Sequence, residues 1–127
     1  MTPTTLVVGA SPAAREAAIA IAIAAAIDSH LPTAVILEGI ASGSSALESS
    51  ANPDTLRVIR IAPGCMCCIG NLTLRVTLNR LLRKPPSRLF IALSTSTHLA
   101  QIRSFLSAEP YDAFLTLTAD MMLIDTI

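Results

Sequence analysis

Every cysteine of the chain lies in one short stretch, Gly64-Cys65-Met66-Cys67-Cys68. An odd, clustered set of thiols is no disulfide framework; it points to a reducing compartment and to metal or redox chemistry. Thiolates are soft ligands that suit Zn²⁺ or Cu⁺, and three of them leave one position of a tetrahedral Zn²⁺ open. Water, a carboxylate, a histidine or a second chain can fill it. The stretch leads into a helical pattern, and the positive end of a helix dipole favours the thiolate over the thiol. Two other readings stand beside the metal. The Cys65–Cys68 spacing also suits thiol–disulfide exchange, and free cysteine in a core is simply a small hydrophobe.

Short apolar strands alternating with helices must position these thiols. Leu6-Val7-Val8, ending at Gly9, reads as a buried strand, and Ser11-Pro12 reads as a helix start with Ser as N-cap. Residues 13–27 are Ala-rich with Ile19, Ile23 and Ile27 spaced by four, which favours a buried helix. Strands follow at residues 33–38 (TAVILE), 56–62 (LRVIRIA), 89–93 (LFIAL) and 113–117 (AFLTL), with an apolar tail at 121–127 able to add an edge strand. Residues 72–83 form a helix with Leu74, Leu78, Leu81 and Leu82 on one face, stopped by Pro85-Pro86. A further helix buries Leu99, Ile102 and Leu106.

This alternation predicts an α/β fold: a mainly parallel sheet of about five strands with helices on both faces. Ligands of such sheets sit at the C-terminal strand ends. Gly9, Glu38, the cysteines and residues 94–97 all follow strand ends and are expected on one rim. His98 belongs there too, and its imidazole is a candidate zinc ligand. Arg75, Arg80, Arg83, Lys84 and Arg88 cluster around the second helix, where a solvated face accounts for them.

Composition narrows the function classes. In 127 residues, nine Lys and Arg balance nine Asp and Glu, and aromatics are 3%, so nucleic acid is a poor partner. Mean hydropathy is high at +0.61, yet the longest apolar run, residues 17–27, is about half of the ~20 residues a membrane span needs. No basic residue precedes Arg15, against a signal peptide. The expectation is a cytoplasmic protein without membrane partners. Its apolar surplus favours a homodimer or an acceptor protein.

The cysteine motif, placed after a strand and before a leucine-rich helix, resembles that of the CobW-like metallochaperone GTPases. These are P-loop G-domain proteins whose G-C-x-C-C motif binds zinc or cobalt. The resemblance makes residues 9–16 (GASPAARE) the counterpart of the phosphate loop G-x-x-x-x-G-K-S/T. Gly9 is kept, but Ala14 replaces a glycine, Arg15 the lysine and Glu16 the Mg²⁺-holding hydroxyl, while Pro12 removes an N–H donor. Residues 94–97 (STST) resemble the family's E-T-S/T-G with Ser94 in place of the acid, and the guanine-recognition N-K-x-D does not occur. Residues 35–39 (VILEG) resemble the strand ending in N-E-x-G, with Leu37 for the Asn and Glu38 kept; near the thiolates, Glu38 is a candidate fourth ligand.

What the resemblance implies is one degenerate, P-loop NTPase-like G domain over residues 1–127, covering the family's N-terminal part without its C-terminal domain. It is a pseudo-GTPase that keeps the metal motif at Cys65, Cys67 and Cys68 and does not hydrolyse GTP. Nucleotide is not an expected cofactor, although Gly9 and Arg15 remain a weak anion-binding remnant. The alternatives are a metal-independent interaction module and a thiol redox protein.

Overall fold

The computed structural model describes residues 2–9, 11–25, 31–38, 56–61, 72–93 and 99–123. Among them are six strands: β1 (Thr2–Gly9), β2 (Thr33–Glu38), β3 (Leu56–Ile61), β4 (Arg88–Ala92), β5 (Leu115–Leu117) and β6 (Met121–Leu123). Three α-helices accompany them: α1 (Pro12–Ala25), α2 (Leu72–Leu81) and α3 (Leu99–Ser107). The strand order is β3-β2-β4-β1-β5, with β6 also on β1, and every strand pairing is parallel. The fold is α/β, a parallel sheet consistent with the P-loop NTPase-like expectation.

Alternation along the strands sends side chains to two cores. Leu6, Val8, Ala34, Ile36, Leu89 and Ile91 meet Leu74, Leu78 and Leu81 of α2 and Ile102 and Leu106 of α3. Val7, Val35, Leu37, Phe90 and Ala92 meet Ile19 of α1 on the other face. Helices therefore cover both faces. On α1 the expectation of a buried helix needs correcting: Ile19 is fully buried, but Ile21 is 69% exposed. Two residues along a helix turn the side chain by about 200°, so Ile19 and Ile21 cannot share a face.

Strand β1 extends well before its apolar run. Thr2 and Thr4 are buried there because their hydroxyls find carbonyls, Thr2 donating to Pro86 at 2.9 Å and Thr4 to Thr2 at 3.1 Å. The expected fifth strand and the apolar tail both lie along β1, giving six strands where about five were expected. β5 pairs with Thr2, Pro3 and Thr4, and β6 with Val7, Val8 and Gly9. Between them Arg103 of α3 donates to Asp120 at 2.6 Å and to the Thr118 carbonyl at 3.4 Å. This holds the intervening chain against α3. A 3-10 turn, Tyr111–Ala113, precedes β5 in place of the expected strand start. Burial pushes the Tyr111 hydroxyl pKa above its ordinary value, and that hydroxyl donates to Asn79 Oδ1 at 3.1 Å.

Candidate functional site

Because the strands are parallel, the described ends at Gly9, Glu38, Ile61 and Ala92 lie on one rim. Two of them are neighbours in register: the Cα partner of Glu38 is Ile61. Glu38 is only 5% exposed. Cys65 is four positions beyond Ile61, and four residues of chain reach at most about 14 Å. The described part of the rim thus presents a buried carboxylate beside the strand that feeds the thiol stretch.

The start of α1 occupies another sector of the rim, and its polar groups are already engaged. Ser11 caps the helix as its sequence predicts, its hydroxyl accepting from the Ala14 N–H at 3.2 Å and its carbonyl from the Arg15 N–H at 3.0 Å. The Arg15 guanidinium, 3% exposed, turns back and donates to the Gly9 carbonyl at 3.1 Å. Gly9 itself has φ +92°, a conformation that glycine adopts without strain. A Cβ there would fall onto the Leu123 carbonyl of β6.

Glu16 is buried, 4% exposed, and meets Arg60 of β3 through both carboxylate oxygens, at 3.0 and 3.4 Å. Such a two-point guanidinium–carboxylate pair fixes orientation as well as charge. The position that holds a Mg²⁺-binding hydroxyl in the resembled phosphate loop is here one half of an internal ion pair.

Of the candidate residues, Gly9, Arg15 and Glu38 lie on the described rim. Cys65, Cys67, Cys68, His98 and residues 94–97 lie outside the described residues. Among the described residues no group of three or more His, Cys, Asp or Glu could hold a metal ion. Sequence reasoning left Glu16 without its partner. The available signal was the alternation of LRVIRI, which puts Val58 and Arg60 on one face of β3; Val58 packs into the α1-side core. The basic cluster stands largely as expected, with Arg75, Arg80, Arg83 and Lys84 exposed. Arg88 differs: its Nε and Nη2 are buried and have no hydrogen-bond partner. No described helix is long and apolar enough to cross a membrane.

The chain is similar to the zinc chaperone YeiR of Escherichia coli (strain K12), 39% identical over 66 residues. The match takes in 51% of this chain and 20% of the relative, so only about a fifth of that protein's length is spanned. No family model matches the chain, and no solved structure matches it significantly. This chain is a partial homologue of a zinc chaperone, which supports the CobW-like resemblance carried by the cysteine motif.

Proposed function

We propose that this chain is a non-catalytic zinc-binding protein, a pseudo-GTPase related to the CobW-like metallochaperones. Cys65, Cys67 and Cys68 hold the ion as cargo, and Glu38 or His98 completes the ligand set. The donor chemistry fits: three thiolates with one carboxylate or imidazole is an ordinary tetrahedral zinc set. The observation that carries the reading is the register of β2 against β3, which seats buried Glu38 beside Ile61, four positions before Cys65. Similarity to a zinc chaperone over half of the chain supports it.

The pseudo-GTPase half of the reading rests on the start of α1. A phosphate loop needs backbone N–H groups, a lysine and a hydroxyl free to meet a triphosphate and its Mg²⁺. Here the Ala14 N–H is bonded to Ser11, Arg15 to the Gly9 carbonyl and Glu16 to Arg60. We place the whole chain in one degenerate G domain that hands zinc to an acceptor protein or pairs with a second copy. The alternative, a metal-independent interaction module, draws on the outer face of α1. There Ala13, Ala17, Ile21, Ala24 and Ala25 are exposed and uncharged.

A zinc competition titration of the reduced, metal-free protein against a chromophoric chelator tests this. The expected result is one high-affinity site, released at low pH as thiolates protonate. It is absent from a Cys65/Cys67/Cys68→Ser variant whose circular dichroism is that of the parent. Equal zinc binding by the two proteins overturns the metal reading. GTP turnover abolished by Arg15→Ala overturns the pseudo-GTPase reading.

A further inference from the structure

We infer that a second copy of this chain docks, by two-fold symmetry, on a cavity at the strand-start end of the sheet. The inference rests on the second-copy pairing of the proposed function and names its surface; zinc does not enter it. Thr2, Leu82, Pro85, Pro86, Ala113 and Phe114 line a cavity of about 300 Å³. Thr2 opens β1, so the cavity lies at the end of the sheet away from Gly9 and Glu38 of the rim. Its floor is preformed. The Thr2 hydroxyl donates to the Pro86 carbonyl at 2.9 Å, and the Thr2 N–H to the Phe114 carbonyl at 2.8 Å. One buried residue thereby ties the two walls together and engages its own polar groups in doing so. What the walls offer to an occupant is apolar: Leu82, Pro85, Ala113 and the ring of Phe114, which is 46% exposed.

The walls also carry opposite charge. The segment that supplies Leu82, Pro85 and Pro86 bears Arg83 and Lys84. The turn that supplies Ala113 and Phe114 bears Asp112, with Glu109 three positions before it, and all four charged residues are exposed. A partner of a single sign would complement one wall and meet its own sign on the other, and like charges brought together cost affinity. A second copy carries both signs in the matching arrangement. A two-fold axis lying across the mouth brings the basic wall of each copy over the acidic wall of the other, as an isologous interface requires. The same rotation sets Phe114 of each copy against Leu82 and Pro85 of the other. The contact then has an aromatic centre inside a charged border, the usual anatomy of an interface. The chain as a whole has no net charge, so two copies approach without long-range repulsion.

Sedimentation equilibrium over a range of protein concentrations tests this, with every variant checked for folding by circular dichroism. The parent is expected to pass from monomer to dimer as concentration rises. Arg83→Glu/Lys84→Glu makes both walls acidic, and Glu109→Lys/Asp112→Lys makes both basic. Each variant alone is expected to weaken dimerisation at least about a hundredfold, because symmetry counts every like-charge contact twice. Mixed together, the two variants are expected to pair with each other to within about tenfold of the parent, since each wall again meets its opposite. Phe114→Ala is expected to weaken the dimer about a hundredfold, and Ile21→Gln, on the outer face of α1, to leave it unchanged. A parent that stays monomeric overturns the inference together with second-copy pairing. A parent dimer that neither charge reversal disturbs, or that Ile21→Gln dissociates, places the second copy elsewhere and overturns the inference alone. Charge-reversed variants that fail to pair when mixed overturn it as well, while the zinc titration decides the metal reading separately.

Discussion

On one face of the sheet, β-strand aliphatics meet the leucines and isoleucine of α2 and α3. On the other they meet Ile19 of an alanine-built α1 and, at the rim, the charged set Arg15, Glu16 and Arg60. The first face has the larger apolar core, built on interlocking leucines, with buried Thr4 and Thr77 beside it. The second face has a smaller apolar core and places buried charge beside the strand ends. The contrast separates two tasks. One face holds the fold together, and the other fixes where the strand ends emerge. A chain that buries Arg15 and Glu16 and pairs Glu16 with the half-buried Arg60 at one end of one face is meeting a geometric requirement there, since apolar packing usually serves stability as well.

Core truncation breaks this comparison most directly. Leu78→Ala, at a fully buried position between α2 and the sheet, is expected to cost about 3–4 kcal/mol, because tight packing on all sides prevents collapse into the void. Ile19→Ala removes a comparable side chain from the α1 face, but it leaves a helix of alanines able to settle toward the sheet. Its expected cost is about 2–3 kcal/mol. Urea unfolding of both variants checks the pair. Equal losses would place as much of the stability on the α1 face and dissolve the division of labour.

Gly9→Ala sharpens the comparison at the junction of β1 with α1. The positive φ strains any L side chain, and the added methyl meets the Leu123 carbonyl. The expected loss is about 2 kcal/mol. Amide exchange should quicken at Met122 and Leu123 of β6 while Leu78 and Ile91 keep their protection. Uniformly faster exchange through both faces would instead make Gly9 a general packing position.

Much of this was legible in the sequence, for identifiable reasons. TAVILE is a strand buried on both faces, so a continuous apolar run marks it without ambiguity. The leucine spacing of residues 74–81 and the Ser11-Pro12 cap are local signals, and local signals survive folding. The start of β1 was not legible, because Thr2 and Thr4 are buried through hydrogen bonds to carbonyls that only the folded sheet supplies. The Glu16–Arg60 pair was hidden for the same reason at longer range. Its partners are 44 positions apart, and their meeting depends on the face that the β2–β3 register assigns to Arg60. The rim itself follows from the alternation of strands and helices, which is why Gly9 and Glu38 lie where strand-end reasoning puts them.

The smallest expected effect lies on the outside of α1. Ile21 is 69% exposed, so Ile21→Gln removes little buried apolar area, and glutamine is a slightly better helix former than isoleucine. Within the single chain, stability should change by no more than about 0.5 kcal/mol. The same face, with Ala13, Ala17, Ala24 and Ala25 beside Ile21, carries no charge, and a helix apolar on its outer side is one that something else can cover. Thermal unfolding over a range of protein concentrations separates the two contributions. A chain that stands alone gives a Tm that does not change with concentration, in parent and variant alike. A second copy packed on α1 makes the parent's Tm rise with concentration, through mass action, while Ile21→Gln flattens that rise. The α1 face would then owe part of its stability to a partner, and the difference between the two faces would be one of assembly as well as of chemistry.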